Sequence, residues 1–273
     1  MESFFSFLER RVDDCSSLLC VGLDPHIPDL KEPTAAAARD FCLDLVKKTA
    51  PYAAAFKPNA AFFEAFGSEG WTALKQVIEA VNEQSVRLGS MIPVVLDAKR
   101  GDIASTAEAY AHSAFKTLGA HGITLSPYLG YDSIEPFLQD QEKGAFLLCK
   151  TSNAGSKDLQ DLPVIPAGSD VSVPLYMYVA GLAQQWNTRN NIGIVVGATH
   201  LEVLSAVRAA VPKLRILAPG VGIQGGELES TLRAGLRKDG KGLLIPISRS
   251  ISRAQDPGRA AADIRDQMLG IRM

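Results

Sequence analysis

Val94-Val95-Leu96-Asp97-Ala98-Lys99-Arg100-Gly101-Asp102-Ile103 is an apolar run that ends abruptly in charge. A continuous apolar stretch closed by a turn signal reads as a strand of a parallel sheet, buried on both faces. Residues two apart on a strand share a face, so Asp97 and Lys99 are expected to project together from its C-terminal end. The Gly-Asp turn adds a second carboxylate, Asp102. Placing these charges at the end of a buried strand costs desolvation energy that packing does not return. Such a cluster points to chemistry. A structural ion network is the plain alternative, and buried ion pairs are poor stabilisers.

Outward from this strand the same pattern recurs. Short apolar runs predict strands at 18–23, 54–57, 93–99, 122–125, 145–150, 192–196, 215–218 and 243–247. Helical periodicity fills the intervals at 35–49, 70–88, 105–118, 174–186, 200–211 and 225–236, and again at 260–269. Eight strand–helix units predict a (β/α)8 barrel, a TIM-type fold, with residues 1–273 forming one domain. An open doubly wound sheet is the alternative, because periodicity alone does not prove closure. The segment 152–174, rich in Pro, Gly, Ser and Asp, is the longest irregular stretch, and loops of that length are commonly functional.

The 273 residues are 47 % hydrophobic and 21 % charged, with a formal net charge of −2. No global field would attract nucleic acid or an anionic membrane. The four cysteines form no C-x-x-C pair and have no histidine spacing suited to zinc, and reduced thiols fit the cytoplasm. MESFFSFLERRVDD predicts an amphipathic N-terminal helix rather than a signal peptide. No apolar run approaches the roughly 20 residues of a membrane span.

Polar residues collect at six of the eight strand ends, where active sites of such barrels lie. The first ends in Asp24, the second in Lys57 and Asn59, the third in Asp97, Lys99 and Asp102, and the fifth in Ser152. The seventh runs into Pro219-Gly220-Val221-Gly222-Ile223-Gln224-Gly225-Gly226, and the eighth ends in Ser248-Arg249. A Gly-rich turn before a helix, beside an arginine, predicts a phosphate site. The histidines (His26, His112, His121, His200) fall in loops or helices away from the strand ends. No metal site follows from this inventory, because the lysines beside the carboxylates would repel a cation. The glycines do not form a dinucleotide fingerprint.

Taken together, these residues resemble the orotidine 5′-phosphate decarboxylase family. Its D-x-K-x-x-D signature appears as Asp97-Ala98-Lys99-Arg100-Gly101-Asp102, with Val21-Gly22-Leu23-Asp24-Pro25 and Phe56-Lys57-Pro58-Asn59 before it and the two phosphate segments after it. The resemblance runs from about Leu18 to Ile251 in the expected order. It implies cofactor-free decarboxylation of orotidine 5′-monophosphate to UMP, the last step of pyrimidine nucleotide synthesis. It further implies that Lys99 protonates C6, that Asp97 sits beside the departing carboxylate, and that Lys57 and Asp102 complete a charged array. Asp102, Ile103 and Thr106 would reach across a homodimer interface. Asp24 and Asn59 would meet the ribose, Ser152 the pyrimidine, and Pro219, Gln224, Ser248 and Arg249 the phosphate. Barrels of this family are sometimes fused to an orotate phosphoribosyltransferase, so this chain could be one part of a longer protein. Metal-dependent phosphosugar barrels and a non-catalytic nucleotide-binding barrel are the competing readings.

Overall fold

The computed structural model describes residues 2–222 and 225–272. Eight parallel strands are present: β1 (Leu19–Leu23), β2 (Ala55–Pro58), β3 (Val95–Arg100), β4 (Gly122–Leu125), β5 (Gly144–Lys150), β6 (Ile192–Val196), β7 (Arg215–Leu217) and β8 (Leu243–Ile247). Their spatial order is β2-β1-β8-β7-β6-β5-β4-β3. The two ends of that ladder meet: Phe56 bridges Val94 and Asn59 bridges Asp97 in parallel, and the Phe56 N–H donates to Pro93 O at 2.9 Å. The sheet is therefore closed, and the open doubly wound alternative is excluded.

The strands lie within two residues of their predicted bounds, because most are apolar runs buried on both faces, β3 being buried only at Val95 and Leu96. The helices follow on the outside: α1 (Phe4–Cys15), α2 (Ala35–Thr49), α3 (Ala60–Glu64), α4 (Gly67–Leu88), α5 (Ala104–His112), α6 (Leu175–Trp186), α7 (Leu201–Ala210), α8 (Gly225–Gly235), α9 (Arg249–Ser252) and α10 (Pro257–Arg272). Helix α2 starts where the sequence predicts, because the Thr34 hydroxyl accepts from the Ala37 N–H at 3.1 Å.

Two expectations change. The predicted helix 105–118 is an α-helix only to His112, then widens into a π-helical turn at Ser113–Thr117. Between β4 and β5 no α-helix forms. Three 3₁₀ turns (Pro127–Leu129, Tyr131–Ser133, Glu135–Leu138) replace it, since Pro127, Gly130 and Pro136 interrupt any longer ladder. The eight units are thus unequal.

Helix α1 packs against the sheet. Phe4 and Phe5 are fully buried and meet Phe146 of β5 edge to face at 6.3 and 5.4 Å. Gly144 must be glycine there, because an added Cβ would sit 2.0 Å from the Phe4 ring. All four cysteines are buried and free, and burial pushes the Cys20 and Cys149 thiols up to about 12. They behave as small hydrophobes. Among the described residues no helix is long and apolar enough to cross a membrane.

Candidate active site

The C-terminal strand ends bring Lys57, Asp97 and Lys99 into one chain of contacts. Lys57 Nζ donates to Asp97 Oδ2 at 2.8 Å, and Lys99 Nζ donates to Asp97 Oδ1 at 2.6 Å. The side chains of Lys57 and Asp97 are 9 % and 12 % exposed, while that of Lys99 is 50 % exposed. One carboxylate is therefore clamped between a buried ammonium and an ammonium facing solvent. Burial works to raise the Asp97 carboxyl, but the two lysines and their hydrogen bonds hold it well below the usual carboxylate range. Burial likewise works against the Lys57 ammonium, and Asp97 and Asp24 lift it above its ordinary value. Asp97 and Lys57 are thereby held in their charged forms at neutral pH, and Lys99 stands on the open side of the array.

Simple strand alternation does not produce this meeting. The β3–β4 register pairs Leu96 with Ile123 and Arg100 with Leu125, so Asp97, Ala98 and Lys99 bulge opposite Thr124 alone. Lys99 adopts a left-handed backbone (φ 47°). Bulges re-aim side chains in this way and are common beside active sites.

Asp24 and Ser248 stand at the ends of β1 and β8, the strands next along from β2. Asp24 Oδ1 and Ser248 Oγ are buried without a hydrogen-bond partner among the described residues. The β1 and β8 ends approach closely because Gly22 separates them: a Cβ there would stand 2.7 Å from Ser248 Cβ and 3.1 Å from Asp24 Oδ2. Buried polar atoms left unpaired require an explanation, and a ligand's hydroxyl or phosphate oxygens would supply partners. Asn59 caps α3, its Oδ1 accepting from the Ala61 N–H at 3.2 Å. Ser152 is exposed and lies against Gly197, whose Cβ would stand 3.0 Å from Ser152 Cβ.

At the seventh strand end Pro219 O accepts from the Ala198 N–H at 2.8 Å, and Gly220 takes a φ of 100° that favours glycine. The Gly222 N–H, expected to be open to a phosphate, instead donates to Glu227 Oε2 at 2.9 Å. A carboxylate thus holds an anion position on the Gly-rich turn. Gln224 lies outside the described residues. Arg249, the first residue of α9, is exposed and makes no ion pair among the described residues.

Asp102, Ile103 and Thr106 do not join the array. Asp102 Oδ1 accepts from the Ile103 N–H at 2.8 Å, and no described basic side chain pairs with it. Ile103 is 51 % exposed and Thr106 is exposed as well.

Several pairings around the strand ends escape sequence reasoning. Lys150, at the end of β5, is buried and ion-paired to Asp161, and its ammonium lies 5.7 Å from the Tyr176 ring centroid. Gln160 accepts from the Thr151 N–H at 2.8 Å and donates to the Thr151 hydroxyl at 2.9 Å. These contacts tie the irregular segment 152–174, which contains a small hairpin of Val164 against Val173, to the strand that presents Ser152. His26 packs edge-on against Phe62 at 4.4 Å, and burial holds His121 down at about 4. Among the described residues no three His, Cys, Asp or Glu side chains come together as a metal site would require.

Fold and site define a closed (β/α)8 barrel with a lysine–aspartate–lysine array at the ends of β2 and β3, and a Gly-rich turn and an arginine at the ends of β7 and β8. The model of the orotidine 5′-phosphate decarboxylase / HUMPS family matches residues 17–264, and the chain belongs to that family. An orotidine 5′-phosphate decarboxylase of Roseiflexus castenholzii is 47 % identical over 267 residues, covering 96 % of this chain and 93 % of that protein. The structure of Leishmania donovani OMP decarboxylase superposes with a TM-score of 0.87 at 51 % identity, covering 99 % of both chains. Leishmania donovani UMP synthase gives a TM-score of 0.88 at 53 % identity, with all of this chain matching 57 % of that longer one.

Proposed function

We propose that this chain decarboxylates orotidine 5′-monophosphate to UMP in the cytoplasm without cofactor or metal, completing pyrimidine nucleotide synthesis. The observation that carries the reading is the Lys57–Asp97–Lys99 chain at 2.6–2.8 Å, with its one exposed ammonium at the barrel mouth. Breaking the bond from C6 to the carboxyl carbon releases CO₂ and leaves the electron pair on C6. Lys99 Nζ gives its proton to that carbon and is reprotonated from solvent. An ammonium already held in place stabilises the developing carbanion and then quenches it. Asp97, kept ionised, faces the departing carboxylate.

No single lysine supplies the acceleration of roughly 10¹⁷-fold, about 23 kcal/mol, at the high end of enzyme catalysis. Binding energy from the distant phosphate contributes the rest by ordering the array. In this reading Asp24 and Asn59 take the ribose hydroxyls, Ser152 the pyrimidine edge, and Pro219, Gln224, Ser248 and Arg249 the phosphate. Glu227 must then give up the Gly222 N–H when phosphate arrives.

The direct test follows the fall of orotidine 5′-monophosphate absorbance on adding purified protein in EDTA. Turnover is expected to persist. Turnover lost in EDTA and restored by Mg²⁺ would instead favour a metal-dependent phosphosugar barrel, and UMP binding with no turnover would favour a non-catalytic one.

The proposal includes a homodimer in which Asp102, Ile103 and Thr106 serve the neighbouring site. Its support is the isolation of Asp102 from its own array, together with the exposed apolar side chains of Ile103, Tyr128, Leu129 and Tyr131. Mixed Lys99→Ala and Asp102→Ala proteins are expected to recover up to about a quarter of the parent activity. Half of the randomly paired dimers are then hybrids, each with one intact site. Subunit exchange shown by native mass spectrometry with no recovered turnover would sink the shared site. That the Leishmania donovani UMP synthase is longer than this chain supports the view that such barrels also work within fused proteins.

A further inference from the structure

The bulge in β3 leaves two backbone donors without ladder partners. Opposite Asp97, Ala98 and Lys99, strand β4 offers a single residue, Thr124, which is 2 % exposed. Its hydroxyl accepts from the Ala98 N–H at 3.1 Å and from the Lys99 N–H at 3.0 Å, and it donates to Asp97 Oδ1 at 2.9 Å. A hydroxyl has one proton and two acceptor positions, and here all three are engaged. Because both acceptor positions are filled by N–H groups, the proton has one direction left, toward the carboxylate.

We propose that Thr124 is a positioning residue for the decarboxylation. The hydroxyl stands in for the ladder acceptors lost at the bulge, holds Lys99 in its left-handed backbone, and fixes the Asp97 carboxylate. The same oxygen, Asp97 Oδ1, accepts from Lys99 Nζ. Thr124 therefore sets both ends of the Lys99 side chain, its backbone directly and its ammonium through Asp97. Being 2 % exposed, it acts through these two residues rather than on the reacting atoms. This inference rests on the function proposed above. The sequence conceals it, because a lone threonine in Gly122-Ile123-Thr124-Leu125 reads as an ordinary strand residue.

The test compares Thr124→Val, which removes the hydroxyl at nearly constant shape, with Thr124→Ser, which keeps it. Misplacing a reacting group by about 1 Å costs roughly 100-fold. Thr124→Val is accordingly expected to lose kcat on that scale, with KM and UMP affinity within about threefold of the parent. Thr124→Ser is expected to keep kcat within about fivefold. A Thr124→Val kcat close to the parent's overturns the proposal, and so does a Thr124→Ser variant that falls as far as Thr124→Val. Should Thr124→Val not bind UMP, Thr124→Ser decides alone: near-parent kcat supports the role of the hydroxyl, and a loss approaching 100-fold refutes it. A parent protein that binds UMP but does not turn over orotidine 5′-monophosphate defeats the functional reading instead, so the two failures are distinct.

Discussion

Lys99→Ala is expected to lower kcat by about 10³- to 10⁴-fold, the upper range for losing a positioned acid that also offsets developing charge. UMP is expected to bind nearly as before. The reasoning starts from exposure. Lys99 reaches the mouth with half of its side chain exposed, whereas Lys57 is almost wholly enclosed and committed to Asp97. Lys57 cannot take over without leaving the carboxylate that keeps it charged. Stability should change little, because an ion pair with one partner half in solvent contributes at most about 1 kcal/mol. Lys99→Arg separates the two roles of the ammonium. Arginine keeps the positive charge but does not give up a proton at neutral pH. If proton donation is the essential act, Lys99→Arg should be nearly as inactive as Lys99→Ala. Absorbance-based turnover and calorimetric UMP titration on the same preparations check both points. A Lys99→Ala kcat within tenfold of the parent would sink the assignment of Lys99 as the acid.

The barrel was legible because its signal is redundant. Each of eight strands is an apolar run, so a two-residue error at any end leaves the alternation intact. The strand ends were legible because charge at the end of a buried run is conspicuous wherever it occurs. What escaped depends on pairings between distant positions. Strand alternation predicts that Asp97 and Lys99 meet, but they meet through a bulge that only the β4 register reveals. Lys150 finds Asp161 across an irregular loop, and nothing local marks that aspartate among its acidic neighbours. The glycines of 219–226 announced an anion site, but not that Glu227 from the next helix already engages the Gly222 N–H. In each case composition shows that a polar group is available, and tertiary register decides its partner.

Asp97→Asn should damage activity and stability together, and its pH dependence carries the diagnosis. Removing the charge takes the centre out of the array, and kcat is expected to fall by at least about 10²- to 10³-fold, as for loss of one preorganised electrostatic group. It also leaves the Lys57 ammonium enclosed without its principal counter-charge, a change that typically costs about 3 kcal/mol or more. In the parent, Asp97 titrates below its unfolded value of about 3.9, so its contribution is complete above that pH and fades only as pH falls through the lowered folded value. Lys57 titrates above its unfolded value of about 10.4, so its contribution is complete below that pH and fades as pH rises through the raised folded value. Between about pH 5 and 9 the pair therefore adds no slope to the parent's stability. In Asp97→Asn, burial is the largest influence left on Lys57 and pushes its folded value down, with Asp24 as the remaining carboxylate opposing it. The unfolded chain then binds the extra proton more readily than the folded one. Stability of the variant is consequently expected to rise with pH below the ordinary lysine value, where the parent's stability is flat. Urea unfolding of both proteins at several pH values reads this directly, because the expected difference is one of slope as well as height. A variant that runs parallel to its parent would mean that Lys57 reaches solvent or another anion. The buried clamp would then be the wrong description of the site.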